Sequence, residues 1–200
     1  DVTVNTGTGD GTLRLDALGA TANITDAAGN DITADYVTGP VYVIDKTLPT
    51  VLSVNRLTPL TSPTNATSVT WQVTFSESVS GLTTADFSLV DVGGTITGEA
   101  LTSVSAAAGV TVNVVVNTGT GSGELRLNVV TANTITDTAG NVMAVGFTTG
   151  QTYMIDKAAP TVTVNQKAGQ PDPTFTAPIE FTAVFSEAVS GFDNTDVTIA

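Results

Sequence analysis

The chain has 200 residues and a formal net charge of −13, from 19 acidic and 6 basic residues. It contains no cysteine and no histidine, which excludes disulfides, ordinary zinc and copper sites, and Ser-His or Cys-His nucleophile pairs. The excess of acidic over basic residues argues against nucleic acid and anionic membrane surfaces as partners. No apolar run is long enough to form a helix that inserts into a membrane. The same balance is compatible with solubility and with cation binding.

The predicted elements are all strands. Residues 50–55 form a short predicted strand, and apolar side chains at every second position of 68–75 indicate a strand with one buried face. Further strands are predicted, in chain order, at 86–91, 94–104, 110–117, 123–130 and 148–155, separated by clusters of Gly, Asn, Asp and Ser. Seven short strands in about 110 residues are typical of an immunoglobulin-like β-sandwich. The predicted fold class is therefore all-β.

Several segments of the chain occur twice. The stretch 5–15 returns at 117–127, shifted by 112 residues, and the stretch 44–50 returns at 155–161, shifted by 111. A period of this size is the length of a whole domain. The sequence therefore predicts tandem Ig-like domains. They are the C-terminal half of one repeat at 1–46, a complete repeat at 47–157 and the N-terminal half of the next at 158–200.

Acidic side chains recur near the predicted domain junctions. If the strands alternate in direction, the loops after the second and sixth strands reach the pole at which the preceding linker enters. The candidate metal ligands there are Asp45, Glu77, Asp86, Asp137 and Asn141. The counterparts at the next junction are Asp156, Glu187 and Asp196. Calcium takes six to eight oxygen ligands in flexible geometry, so it would neutralise such a cluster and stiffen the junction.

Two other interpretations of these residues stay open. The turn at 137–141 could use its Asp and Asn for side-chain-to-backbone hydrogen bonds, with the other carboxylates solvated. An amide crosslink between a lysine and an asparagine could fasten the domain instead. The complete repeat has one lysine, however, and this residue, Lys157, lies in the linker and not in the predicted core.

The order of the motifs resembles that of bacterial Ig-like domains, which occur in tandem in large secreted and cell-surface proteins. The likeness rests on 75–87 and its counterpart 185–197, on the turn at 137–141 and on the Ile-Asp-Lys-x-x-Pro-Thr junctions, and it covers essentially the whole chain. Many family members have proline where this chain has Ser78 and Ala188. The resemblance implies a β-sandwich, an extracellular or bacterial cell-surface location and a stalk or adhesin role. It supplies no catalytic residue.

We therefore expect a structural repeat of an adhesin stalk or extracellular filament, and not an enzyme, with neighbouring repeats of the same chain as its partners. Half-domains of identical subunits could complete one another and give a fibre by strand complementation. The alternative is a module that binds a glycan or a host surface protein, which exposed aromatic residues on a loop would favour. Tyr36 and Phe147 are candidates for such residues, and core packing is the favoured interpretation of both. An enzyme that uses a pair of carboxylates is disfavoured, because so small a repeat leaves little space for a substrate cleft.

Overall fold

The fold is all-β, as the sequence predicts. A computed structural model of the chain describes residues 1–19, 23–93, 95–131 and 134–199. The chain divides into two compact units, Asp1–Asp156 and Lys157–Ala200. Within the described ranges, no helix has the length and hydropathy needed to cross a lipid bilayer.

The strands are short and separated by turns. Those of the first unit are β1 (Gly11–Arg14), β2 (Val41–Ile44), β3 (Val51–Thr58), β4 (Ser68–Ser80), β5 (Phe87–Asp91), β6 (Ala100–Val104), β7 (Ala108–Asn117), β8 (Gly123–Val129), β9 (Thr136–Asp137) and β10 (Thr152–Ile155). A 3-10 turn at Thr84–Asp86 leads into β5. The second unit contains β11 (Val162–Gln166) and β12 (Phe181–Phe185).

Residues 47–156 build two antiparallel sheets around one core. One sheet has the order β10-β8-β5, and the other has the order β3-β4-β7-β6, with β9 paired to the end of β4. Apolar side chains from both sheets meet in a single buried cluster. This arrangement is compatible with the predicted β-sandwich, because each sheet covers the apolar face of the other.

The alternating pattern of β4 supplies the centre of this core. Val69, Trp71, Val73 and Phe75 are buried, which confirms the predicted apolar face, and Val79 near the end of the strand is buried as well. The Trp71 ring packs edge-on against Tyr153 of β10, with ring centroids 4.8 Å apart and an interplanar angle of 79°. Trp71 Nε1 donates to the Gln151 carbonyl oxygen at 2.8 Å, and the Tyr153 hydroxyl donates to the Pro59 carbonyl oxygen at 2.7 Å. Both polar ends are therefore satisfied inside the core.

Two predicted strands begin later than expected. The strand predicted at 94–104 starts at Ala100, and residue 94 lies outside the described residues. Before it, the Asp91 carboxylate accepts a hydrogen bond from the Ile96 N–H at 3.1 Å, and Gly98 has a φ of +75°, so the chain turns there. The strand predicted at 148–155 starts at Thr152. Before it, Gly150 approaches Val54 of β3 closely, and the Gln151 N–H donates to the Val54 carbonyl oxygen at 2.8 Å.

The structure also adds pairing that the sequence pattern did not indicate. β4 continues to Ser80, beyond the predicted end at 75, and its last residues pair with β9. β9 has only two residues, which is too short for any periodicity to reveal. This pairing holds the turn that follows β9 beside the end of β4.

The repeated sequence segments adopt matching registers. Gly11 lies opposite Ile44 in β1–β2, as Gly123 lies opposite Ile155 in β8–β10. The same holds for β11–β12 and β3–β4, in which Phe185 and Phe75 occupy equivalent positions opposite the first strand residue. β3 contains a register shift between Val51 and Ser53, and the repeat is one residue shorter at this place in β11. The sequence correspondence thus continues down to single hydrogen-bonded pairs.

Replacing Trp71 tests the assignment of the core. We expect Trp71→Ala to lower the free energy of unfolding by about 3–5 kcal/mol, because it removes a fully buried aromatic side chain and leaves a cavity. The measurement is urea unfolding followed by circular dichroism, since Trp71 is the only tryptophan. The control is Leu52→Ala, whose side chain is exposed and whose loss should change stability by less than about 0.5 kcal/mol. Equal effects of the two substitutions would contradict the assignment.

Candidate metal centre

The linker after β2 is held by hydrogen bonds from both sides. The Asp10 carboxylate accepts the Lys46 N–H at 2.6 Å and the hydroxyl of Thr47. On the other side, Asn141 Nδ2 donates to the Asp45 carbonyl oxygen at 3.1 Å. Asp10 lies just before β1 and Asn141 just after β9, so residues 45–47 are tied to segments that the sequence assigns to two different predicted repeats.

The turn at 137–141 is closed by its own side chains. Asp137 Oδ1 accepts the N–H groups of Ala139 and Asn141, each at 2.8 Å, and Asp137 Oδ2 accepts Asn141 Nδ2 at 2.7 Å. Gly140 has a φ of +94°, a conformation that other residues rarely adopt. These bonds confirm that the Asp and Asn of this motif make side-chain-to-backbone contacts. The matching turn at 26–30 makes the same set of contacts.

Three predicted ligands come together beside this turn. Oxygen atoms from the carboxylates of Asp45, Glu77 and Asp137 lie within 4.8 Å of one another. Asp137 is buried, whereas Asp45 and Glu77 are half-buried. Asn141 borders the group because its Nδ2 contacts both Asp137 and the backbone of Asp45. The structure thus brings three of the predicted ligands together, with Asn141 in contact with two of them.

The group has an unfavourable concentration of negative charge. Burial raises the pKa of Glu77 above its usual value, and the neighbouring carboxylates Asp137, Asp45 and Asp10 raise it further. For Asp137, burial opposes ionisation, but hydrogen bonds from Asn141, Ala139 and Gly140 outweigh it and leave its pKa below the usual value. One carboxylate is thus stabilised as an anion while its neighbour is driven toward the protonated form.

This donor set suits a hard cation. It offers carboxylate and backbone oxygen atoms, and the chain supplies no thiolate or imidazole to favour zinc or copper. Three carboxylates give between three and six oxygens, so a calcium ion bound here would complete its coordination with water or backbone carbonyls. Asn141 presents its amide N–H to the group, so its side-chain oxygen would have to turn to become a ligand.

Asp86 has a different role from the one predicted. It is buried, and its carboxylate accepts hydrogen bonds from the Thr83 N–H at 2.7 Å and from the hydroxyls of Thr83 and Thr134. These bonds form a capping box for the 3-10 turn. The carboxylates that lie within 4.8 Å of one another in the described residues are those of Asp45, Glu77 and Asp137, without Asp86.

The candidates at the next junction are described within their own units. In the first unit, Asp156 is half-buried, and its carboxylate accepts the Ser122 hydroxyl at 3.4 Å. In the second unit, Glu187 is exposed. Asp196 is exposed and accepts the Asp193 N–H at 2.9 Å, which repeats the cap made by Asp86. Asp196 therefore caps a turn in its own segment, as its counterpart Asp86 does.

Sequence reasoning did not select Asp10, although this residue contacts the linker. Asp10 in the stretch 5–15 occupies the position that Ser122 has in the similar Gly-rich stretch 117–127. This replacement of serine by aspartate was the signal by which the sequence could have identified Asp10. Both residues contact their linkers, Asp10 through the backbone of Lys46 and Ser122 through the side chain of Asp156. The Gly-rich turn is thus a recurrent contact point for the linker that follows.

Comparison with known proteins gave no relatives. No protein-family profile, curated protein or solved structure matched the chain.

The two perturbed carboxylates should shift the pH dependence of stability in opposite directions. Asp137 has a lowered folded pKa, so its contribution is present above its unfolded pKa of about 3.9 and is lost as the pH falls below that value. Glu77 has a raised folded pKa, so stability is lost as the pH rises from its unfolded pKa of about 4.3 through the folded value.

Two substitutions separate these contributions. We expect Glu77→Gln to raise the melting temperature at neutral pH and low salt, with the gain disappearing below about pH 4. We expect Asp137→Asn to lower the melting temperature at neutral pH and to flatten the acid side of the curve. The measurement is thermal unfolding across pH in chelator. Destabilisation by Glu77→Gln at neutral pH would contradict the electrostatic description of the group.

Proposed function

We propose that this chain is a structural repeat of an extracellular bacterial adhesin stalk or filament. In this role, tandem Ig-like domains supply length and stiff junctions, and none of them carries out catalysis. The observation that carries the proposal is the linker at 45–47, which is held by Asp10 from one repeat and by Asn141 from the next. A linker fixed on both sides limits bending between neighbours, as a stiff rod requires.

The recurrence of matching segments supports the same role. Repeated registers and repeated Asp-turns at 26–30 and 137–141 are what a protein built for length would contain. The motif order that resembles bacterial Ig-like domains is a further support and suggests the bacterial cell surface as the location.

The stiffness of the junction can be measured with spin labels, because the chain contains no cysteine of its own. Labels at Thr12→Cys and Ser103→Cys should give a narrow distance distribution. Asp10→Ala should broaden it, because the Lys46 N–H and the Thr47 hydroxyl lose their acceptor. The control is Asp16→Ala, which removes only the exposed contact with Arg14. An unchanged distribution in Asp10→Ala would contradict the proposed role of this contact.

We further propose that calcium reinforces this junction. The ligands would be the carboxylates of Asp45, Glu77 and Asp137, and bound calcium would lower the raised pKa of Glu77 and release a proton. The repulsion among these groups would then become attraction to a shared cation.

Calcium titration tests this second proposal. We expect calcium at about one hundred times its Kd to stabilise the chain by about 2.7 kcal/mol, seen as a higher melting temperature that a chelator reverses. Asp45→Asn and Glu77→Gln should remove the response, whereas Asp31→Asn, an exposed carboxylate outside the group, should keep it. A melting temperature that calcium leaves unchanged would exclude the ion without affecting the structural role.

An adhesive module for glycans or proteins is the alternative, and one observation bears on it. Tyr36 is 58% exposed and, with Tyr42, lines a cavity of about 670 Å³. Its counterpart Phe147 is half-buried and packs against the core. The lining is mainly apolar, whereas recognition of a glycan needs several placed polar groups. The cavity therefore suits an apolar protein surface better than a sugar.

A further inference from the structure

The outer face of the sheet β3-β4-β7-β6 carries no charged side chain. Side chains along these strands alternate between the core and the opposite side of the sheet, which is open to solvent. The four strands contain two charged residues. Arg56 pairs with Trp71 on the core side and approaches the ring of Tyr153, and Glu77 belongs to the carboxylate group at the linker. Neither of them therefore contributes charge to the outer face.

This face contrasts with the rest of the chain. On the other sheet of the complete repeat, Glu124 and Arg126 occupy positions of β8 that alternate with the buried residues, so that outer face is charged. The whole chain has a net charge of −13. A partner that approaches the outer face of β3-β4-β7-β6 thus meets the uncharged side of an acidic protein.

Strand register arranges the outer side chains in rows. Antiparallel partners lie side by side on the same face of a sheet. Asn55 pairs with Gln72, which pairs in turn with Asn113, so three amides form one row across three strands. A row of hydroxyls lies beside it in the same register and consists of Ser53, Thr74 and Thr111. We call these six residues the amide face, and none of them is buried.

The backbone fixes the spacing of these groups. Neighbouring strands lie about 4.8 Å apart, so each row of three spans about 9–10 Å, and the two rows lie about 7 Å apart along the strands. β4 and β7 are paired on both sides, which holds the middle and one end of each row in place. The amide face is therefore a flat and rigid grid of polar groups.

Most of these groups are available to a ligand. Asn55 Nδ2 donates to Ser53 Oγ at 3.2 Å. Among the described residues, the side-chain amides of Gln72 and Asn113 and the hydroxyls of Thr74 and Thr111 make no hydrogen bond. Each amide can donate through its NH₂ group and accept through its carbonyl oxygen, and each hydroxyl can do both. The face therefore offers donors and acceptors together, without a net charge.

The chemistry of the face narrows the class of partner. The centres of protein–protein interfaces are enriched in aromatic residues, Met and Arg and depleted in Ser, and the amide face contains none of the enriched types. An anionic polymer is repelled by the net charge of the chain, and a cationic polymer finds no carboxylate on this face. The hydroxyls of an uncharged polysaccharide both donate and accept, so they match amides and hydroxyls in charge and in hydrogen bonding.

We propose that the amide face binds an uncharged polysaccharide. The sugar chain lies across the strands, and the hydroxyls of successive rings bond to Asn55, Gln72 and Asn113. The amide face has no aromatic ring to stack on a sugar, so hydrogen bonds alone supply the affinity and binding to one domain is weak. This binding role belongs to the complete repeat and does not depend on the stiffness of the junction.

The experiment is a titration of the ¹⁵N-labelled 200-residue chain, followed by nuclear magnetic resonance. The probes are hexasaccharides prepared from dextran, mannan, xylan and cellulose, with a sulfated dextran hexasaccharide as the charged control. At least one uncharged probe should shift the side-chain NH₂ resonances of Asn55, Gln72 and Asn113. The sulfated probe should leave them unchanged, because its charge is repelled by the acidic chain.

Variants locate the binding site. Gln72→Ala and Asn113→Ala should each weaken binding about five-fold, the effect of losing one hydrogen bond, as measured from backbone resonances of β4 and β7. Asn65→Ala removes an exposed amide from the loop between β3 and β4 and should bind as the wild type does. Tyr36→Ala, which alters the cavity in 1–46, should also retain binding. Melting temperatures establish that each variant is folded.

Four outcomes would overturn the proposal. The first is a wild type whose NH₂ resonances respond to none of the uncharged probes. The second is equal binding by Gln72→Ala and Asn65→Ala, which would place the ligand on another surface. The third is a stronger response to the sulfated probe, which would show recognition of charge. The fourth is self-association of the wild type that Gln72→Ala abolishes, which would show that the face binds a second copy of the chain.

Discussion

A sheet with one apolar face is stable in water only when a second sheet covers that face, and this constraint organises the whole chain. In 47–156 the requirement is met, because Trp71 on one sheet packs against Tyr153 on the other and both polar ends find carbonyl acceptors. In 1–46 and 158–200 the corresponding residues form the same strand pairs, β1–β2 and β11–β12, in matching registers. Hydrogen-bonded register is therefore a property of each strand pair, whereas the buried core of 47–156 needs the apolar faces of both sheets.

This distinction explains how much the sequence could predict. Alternation in 68–75 identifies a buried face because side chains on a strand point to opposite sides in turn. The repeat near 110 residues identifies equivalent positions, which then adopt equivalent registers. Neither signal depends on knowing which elements are neighbours in space. The all-β class and the β4 core face were therefore accessible, while β9 and the late starts of β6 and β10 depend on contacts with β4, Asp91 and Val54.

The candidate site was predictable to the extent that topology alone brings loops together. Counting strand directions was sufficient to place Asp45, Glu77 and Asp137 at one pole. It gave no information about hydrogen bonds, and these separate Asp86, which caps a turn, from the carboxylates that face one another. Asp10 was missed for a related reason. Its contact with Lys46 crosses 36 positions in sequence and follows from the β1–β2 pairing, which the pattern of the Gly-rich stretch does not indicate.

The acidic composition acts differently at the polar surface and beside the linker. A net charge of −13 makes copies of the chain repel one another electrostatically in solution. At the junction the same charge is concentrated beside a buried carboxylate, where it raises the pKa of Glu77 instead of being dispersed in solvent. Hydrogen bonds to Asp10 and Asp137 compensate part of this cost by fixing two of the anions. Ionic conditions therefore act most directly at this group, because screening or cation binding reduces the repulsion among its carboxylates.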